Sequence, residues 1–191
     1  MALDTWKEGS KINLPNLLTF IRILLVPLLV IMLIDYRFFE ALLIFSVAGI
    51  TDGMDGLLAR LLKQKTRLGA ILDPVADKLL LNTSYIMLGI IGIIPEWLAV
   101  IVISRDVIII FGVLILYIFD KGVEIKPSIL SKITTLFQLG TVFLVLFDIK
   151  ISIFYKIFPV LWIATAAVTI CSGLHYMVIG TGIFQQDEKN S

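Results

Sequence analysis

The sequence has one cysteine and one histidine in 191 residues, and only 16% of it is charged. A single thiol excludes an intramolecular disulfide and any zinc site built on several thiolates. It lies in the apolar run AAVTICSGL, where Cys171 reads as a packing residue. His175 has no second ligand at metal spacing and reads as a hydrogen-bonded structural side chain. Neither sign of charge is in excess: 16 Lys and Arg stand against 15 Asp and Glu, a formal net charge of +1. That balance provides no basic surface for nucleic acid and no acidic surface for basic partners. Internal repeats, low-complexity tracts and long linkers are also missing, so residues 1–191 read as a single domain. The opening MALDTWKEGSK mixes both charge signs and leads to no small-residue cleavage site. A removable signal peptide is therefore not expected, and Trp6 is expected at the headgroup level of a membrane.

What the sequence has instead is apolar length. Hydrophobic residues make up 59% of it and the mean hydropathy is +1.00, far outside the range of soluble domains. A helix needs about 20 mostly apolar residues to cross the hydrocarbon, and six such stretches occur, at 13–34, 38–62, 69–94, 97–119, 128–147 and 154–184. The predicted fold is all-α and polytopic, with six transmembrane helices. Pro15, Pro95, Pro127 and Pro159 fall near helix starts, where a missing N–H costs little. Pro27 and Pro74 fall inside spans and are expected to kink or loosen them. With six spans, Lys7, Lys11, Lys63, Lys65, Arg67, Lys121, Lys126 and Lys189 share one side, whereas Arg37, Lys150 and Lys156 lie on the other. The positive-inside rule then puts both termini in the cytoplasm.

Charges also stand where lipid should exclude them. Arg22, Arg60, Lys78, Arg105 and Lys132 lie within the spans, beside Asp52, Asp55, Asp73, Asp77 and Asp106. A carboxylate at the centre of a membrane helix costs about 3 kcal/mol even on the lenient insertion scale, so these groups must be neutralised together. Asp52 and Asp55 are three residues apart and Asp73 and Asp77 four apart, which puts each pair on one face of its helix. The 63–68 connection is short, so the two helices are expected to form an antiparallel hairpin. At 1.5 Å per residue the four carboxylates lie about 8–17 Å below the turn and can meet at one level. Without a nearby histidine or cysteine, they make a hard, oxygen-only donor set suited to two divalent cations, magnesium or manganese. Paired ions of this kind clamp the attacking and leaving oxygens of a phosphoryl displacement. Gly56 and Ala59 stand one turn beyond Asp52 and Asp55, small enough for a bulky ligand to approach the backbone or for close helix packing. Arg60 follows within reach of a phosphate.

The run DGMDGLLARLLKQKTRLGAILDPVAD, residues 52–77, resembles the CDP-alcohol phosphatidyltransferase signature D-x2-D-G-x2-A-R-x8-G-x3-D-x3-D at every fixed position. The six-span layout extends that resemblance over nearly the whole chain. It implies that Asp52, Asp55 and Asp73 are metal ligands, and that Asp77 is both a ligand and the general base. It further implies that Gly56, Ala59, Arg60, Thr66 and Gly69 border the CDP-lipid, CDP-diacylglycerol, and that the protein is a homodimer in the cytoplasmic membrane with its site open to the cytoplasm. For the acceptor, LPNLLTFIRILLVPL and LDPVADKLL resemble enzymes that use glycerol 3-phosphate and make phosphatidylglycerol phosphate. Such a small phosphorylated alcohol needs further cations, and Arg22, Arg105 and Lys132 are the candidates. However, ISRDVIII and KPSILSKITTLFQL also resemble cardiolipin synthases of the same fold, whose acceptor is phosphatidylglycerol. Arg105 and Asp106 are sequence neighbours and are not expected to face each other; Lys78 is expected to be an ion-pair partner and Lys132 to reach water. The rival from another class is a divalent-cation channel or carrier, since intramembrane carboxylates also mark ion pathways. It does not explain the fixed offsets of Gly56, Ala59, Arg60 and Gly69.

Overall fold

The computed structural model describes residues 14–61, 67–118, 128–149 and 156–188, and within them all side chains except those at 14–16, 53–61, 67–74, 113, 116–118 and 183–188. These residues form six α-helices and no strand: α1 (Leu14–Ile34), α2 (Phe38–Leu61), α3 (Arg67–Ile90), α4 (Glu96–Ile118), α5 (Ile129–Asp148) and α6 (Phe158–Glu188). They fall on the six apolar stretches, and local chemistry accounts for where their ends move. Pro159 fits the first turn of α6, where its lost N–H has no partner to lose, so that helix starts at Phe158 rather than 154. At the end of α3, Gly92 has φ +74° and donates to the Gly89 carbonyl at 3.0 Å, while Ile93 N–H donates to Leu88 at 2.9 Å. A glycine takes that left-handed turn without a β-carbon penalty, which stops the helix at Ile90 rather than 94. Ser128 caps α5 by accepting the Ser131 N–H at 3.2 Å, the usual contribution of a serine N-cap. Pro27, expected to kink or loosen α1, stands inside one unbroken helical span, and Pro74 stands likewise inside α3. Pro127 lies outside the described residues.

The helices close into a ring. α1 packs on α2 and α3, α3 on α4, α4 on α6, α6 on α5 and α5 on α2. Among the described residues α1 packs on both α2 and α3, which themselves meet only sparsely; the turn end of the expected α2–α3 hairpin lies outside the described residues. Ala41, Ala48 and Ala76 are fully buried, and small side chains of this kind allow close helix approach where lipid supplies no hydrophobic drive for association. One end of the ring is apolar. Leu29, Leu33, Ala41, Phe45, Leu81, Leu88, Leu98, Val102 and Val145 form a single buried cluster, all toward the end that carries the 35–37 and 91–95 turns.

The exterior is apolar as well. Each helix exposes large hydrophobic side chains, including Leu24, Ile50, Ile90, Val100, Leu136 and Val178, whereas Thr19, Arg22, Thr134, Gln138, Thr141, Thr165, Thr169 and Ser172 are completely buried. Polar groups inside and hydrocarbon outside reverse the soluble pattern and match a lipid surround. Among the described residues, three helices are long and apolar enough to cross a membrane, at Leu17–Ile34, Ile129–Asp148 and Phe158–Gly182.

Candidate active site

The other end of the ring, toward residues 62–66, gathers the charge. Arg22 on α1 is completely buried and pairs with Asp52 on α2, whose side chain is 42% exposed. A buried guanidinium costs several kcal/mol in lost hydration unless it is paired, which ties α1 to the start of the signature. Asp77 on α3 is half-buried, and Asp52, Lys78, Arg22 and Asp106 are the charges that act on it. The two described signature carboxylates therefore lie in one another's field, although they come from helices that scarcely touch.

A second cluster begins at the next residue. Lys78 Nζ donates to Asp106 Oδ1 at 2.8 Å, which bears out its reading as an ion-pair partner. Arg105 Nη1 donates to the same oxygen at 2.9 Å. This corrects the expectation that Arg105 and Asp106 look away from each other: the guanidinium arm is long enough to fold back on its neighbour. Arg105 Nη2 donates to Ser131 at 2.7 Å and to Ser172 at 2.9 Å, and its guanidinium carbon lies 5.9 Å from the centre of the Tyr176 ring. The Tyr176 hydroxyl in turn accepts the Ser128 N–H at 3.1 Å. One arginine of α4 thus gathers α5 and α6. Such a fork is beyond lysine, whose ammonium is a point charge.

The remaining sequence candidates divide clearly. Asp55, Gly56, Ala59 and Arg60 belong to α2, and Gly69 and Asp73 to α3, so both halves of the signature are helical. Their side chains, and Thr66 altogether, lie outside the described residues. Lys132 is exposed in the first turn of α5, as a residue that reaches water should be. Two bland readings are corrected. Cys171 is exposed, and His175 is exposed with its ring edge-on to Tyr176 at 6.4 Å; both follow from α6 turning its polar stripe, Thr165, Thr169 and Ser172, inward.

The donor set fits hard cations. Asp52 and Asp77 offer oxygens only and remain open enough to admit a ligand. The softer ligands Cys171 and His175 are exposed on α6, outside the Asp77 charge cluster. Sequence reasoning did not find Ser131, Ser172 and Tyr176 as partners of Arg105. Their only signal was the need of a buried arginine for several acceptors, and hydroxyl residues are too common in membrane helices for that need to single out three.

Comparison with known proteins places this arrangement. Residues 12–173 match the family model described as CDP-alcohol phosphatidyltransferase. A cardiolipin synthase (CMP-forming) of Rattus norvegicus is 36% identical over 190 residues, 88% of this chain and 61% of that protein. A CDP-diacylglycerol--glycerol-3-phosphate 3-phosphatidyltransferase of Haemophilus influenzae is 43% identical over 105 residues, 52% of this chain and 56% of that protein. The Escherichia coli protein of the same description is 46% identical over 78 residues, 39% of this chain and 43% of that protein. The chain spans about six-tenths of the length of the relatives it matches most extensively.

Proposed function

Because the chain belongs to the CDP-alcohol phosphatidyltransferase family, we propose that it is a membrane-embedded enzyme that moves the phosphatidyl group of CDP-diacylglycerol to a glycerol hydroxyl and releases CMP. The observation that carries this reading is that two signature carboxylates, Asp52 and Asp77, stay partly open at the charged end of an otherwise lipid-facing bundle. Asp52, Asp55, Asp73 and Asp77 would hold two divalent cations, magnesium by preference and manganese as the alternative. When bound, such ions supply the positive charge that a pyrophosphate and a departing nucleotide require.

The protein's own residues do the rest. Gly56, Ala59, Arg60, Thr66 and Gly69 would border the CDP-lipid, as their places within the family signature imply. Asp77 takes the proton of the acceptor hydroxyl as that oxygen attacks the lipid-side phosphorus. The bond from that phosphorus to the bridging oxygen breaks, and CMP leaves with the oxygen. In this reading all six helices span the cytoplasmic membrane, both termini and the 63–68 loop face the cytoplasm, and the enzyme is a homodimer. Labelling of a cysteine at Lys65 in a Cys171→Ala background checks the orientation, and reaction only from the outer side overturns it.

The acceptor is the finer step. Glycerol 3-phosphate brings a dianion and was expected to meet Arg22, Arg105 and Lys132, but both terminal nitrogens of Arg105 are engaged inside the protein. Phosphatidylglycerol is a phosphodiester with one charge fewer, and the relatives matched over most of the chain are named cardiolipin synthases. These two observations favour phosphatidylglycerol, with glycerol 3-phosphate as the second reading. The test is CMP release by the purified chain with CDP-diacylglycerol and magnesium, each acceptor supplied in turn. Faster release with phosphatidylglycerol supports the first reading, and faster release with glycerol 3-phosphate replaces it with the second. No release with either overturns both readings and points to a different acceptor alcohol.

A further inference from the structure

Lys78 directly follows Asp77 on α3, so an ammonium on a four-carbon arm stands one residue from a carboxylate assigned to the metal site. Adjacent residues of a helix can still meet through such an arm, as Arg105 and Asp106 do in this chain at 2.9 Å. The Lys78 side chain is 28% exposed, so packing alone does not lock it. What holds it is Asp106, at 2.8 Å.

Asp106 does not need Lys78 for its own neutralisation. It is 3% exposed and already paired with the equally buried Arg105 on the same oxygen, while its Oδ2 is buried with no hydrogen-bond partner. Arg105 is fixed in turn by Ser131 and Ser172, so Asp106 is a counter-ion anchored to three helices other than α3. It draws Lys78 toward α4, away from the carboxylates. Released from Asp106, the ammonium would have Asp77, the neighbouring residue on the same helix, beside it. An ammonium seated there competes directly with a divalent cation.

We infer that Asp106 is a positioning residue that acts through Lys78: it keeps the ammonium off Asp77 and so leaves that carboxylate free for a divalent ion. The inference rests on the reading of Asp77 as a metal ligand, and it concerns binding rather than turnover. It also assigns a use to a second cation on one buried oxygen, which stability alone does not require.

The test is titration of the purified full-length chain with Mn2+, read from the electron paramagnetic resonance signal of the free ion, with no substrate present. Asp106→Asn should raise the Mn2+ dissociation constant about tenfold, at the lower end of what outer-shell partners of metal ligands contribute. Asp106→Glu, which keeps the charge, should restore most of the affinity. The decisive variant is Asp106→Asn with Lys78→Gln, in which the wild-type constant should return because the competing ammonium is gone. Lys78→Gln alone should bind at least as tightly as wild type. That variant keeps the Arg105–Asp106 pair, so its result stands even if Asp106→Asn does not fold. Unchanged affinity in Asp106→Asn, a loss that persists in the double variant, or weaker binding in Lys78→Gln would each overturn the inference. A wild-type chain that binds no Mn2+ overturns the metal-site reading and this inference with it, whereas a wild-type chain that binds while the variants depart from the pattern overturns the inference alone.

Discussion

The two ends of the helix ring are built from different materials. Toward the 35–37 and 91–95 turns, Leu29, Leu33, Leu81, Leu88, Leu98 and Val102 are all fully buried, and Asp148 at the end of α5 is the buried charged side chain among the described residues there. Toward residues 62–66, the same helices bring in Arg22, Asp52, Asp77, Lys78, Arg105 and Asp106, three cations against three carboxylates. The apolar end has nothing to exchange with a ligand and serves to fix helix positions. Within the charged end a second division appears. Arg105 and Asp106 are sealed, at 4% and 3% exposure, while Asp52 is open and Asp77 half-open. Sealed, paired charges hold helices together, and the more open carboxylates are the ones left for chemistry.

That division is tested most severely at the open carboxylates. Asp77→Asn should lower CMP release by roughly 100-fold or more, because it removes both a ligand and the proton acceptor. Asp52→Asn should lower it by about 10- to 100-fold, and part of that loss should return at high magnesium. Asp77→Asn should leave the thermal unfolding temperature in detergent near wild type, whereas Asp52→Asn should lower it, because it strips the completely buried Arg22 of its counter-ion. If Asp77→Asn unfolded markedly earlier than wild type, that carboxylate would be structural, and the contrast drawn between the two kinds of charge would fail.

Arg105 should behave in the opposite way. Arg105→Ala strips Asp106 of its buried counter-ion and leaves Ser131 and Ser172 without their donor. Breaking a buried pair from one side costs about 3–5 kcal/mol, and the lower end applies here because Lys78 remains on Asp106. The unfolding temperature should therefore fall clearly, while the acceptor KM of the folded fraction stays near wild type. Arg105→Lys should not rescue it, because one ammonium cannot serve a carboxylate and two hydroxyls set around a planar fork. A raised acceptor KM with unchanged stability would restore Arg105 to the acceptor site that the sequence suggested.

Much of this was legible in the sequence because lipid makes the rules strict. Six apolar stretches had to be helices, since a lipid-exposed backbone must satisfy itself, and charges within them had to have partners. The signature positions and the pairing of Lys78 followed from that. What could not be read was which helix lies beside which. The short 62–66 connection suggested that α2 and α3 pack together, but α1 packs on both, and loop length says nothing about a third helix entering from the side. Hydroxyl residues were equally opaque. Thr134, Thr141, Thr165 and Thr169 can each satisfy themselves on their own helix, so the sequence holds no signal for the ladder they form with Gln138 between α5 and α6. Cys171 and His175 were misplaced for the same reason: their exposure follows from the inward turn of neighbours whose pairing was invisible.

The ladder supplies the smallest and sharpest test. Thr141 Oγ1 lies 2.8 Å from the Phe137 carbonyl of its own helix and 2.7 Å from Thr165 Oγ1 on α6. Thr141 has one hydroxyl hydrogen, and the carbonyl can only accept, so that hydrogen goes to Phe137 and Thr165 is the donor across the interface. Thr141→Val removes the acceptor while nearly keeping the shape, and the Thr165 hydroxyl can then rotate to a carbonyl one turn back on α6, as helical threonines do. The cost should therefore be well below that of the Arg105 change. Interhelical hydrogen bonds in membranes average about 0.6 kcal/mol by double-mutant cycle, because the separated helices also find partners for these groups. A cycle of Thr141→Val, Thr165→Val and the double variant, followed by unfolding in detergent, should return a coupling of about that size with turnover unchanged. A coupling of several kcal/mol would mean that hydroxyl pairs, and not the Arg105 fork, hold α5 to α6. A coupling of zero would mean that close packing alone sets their register and that the ladder only avoids burying unpaired groups.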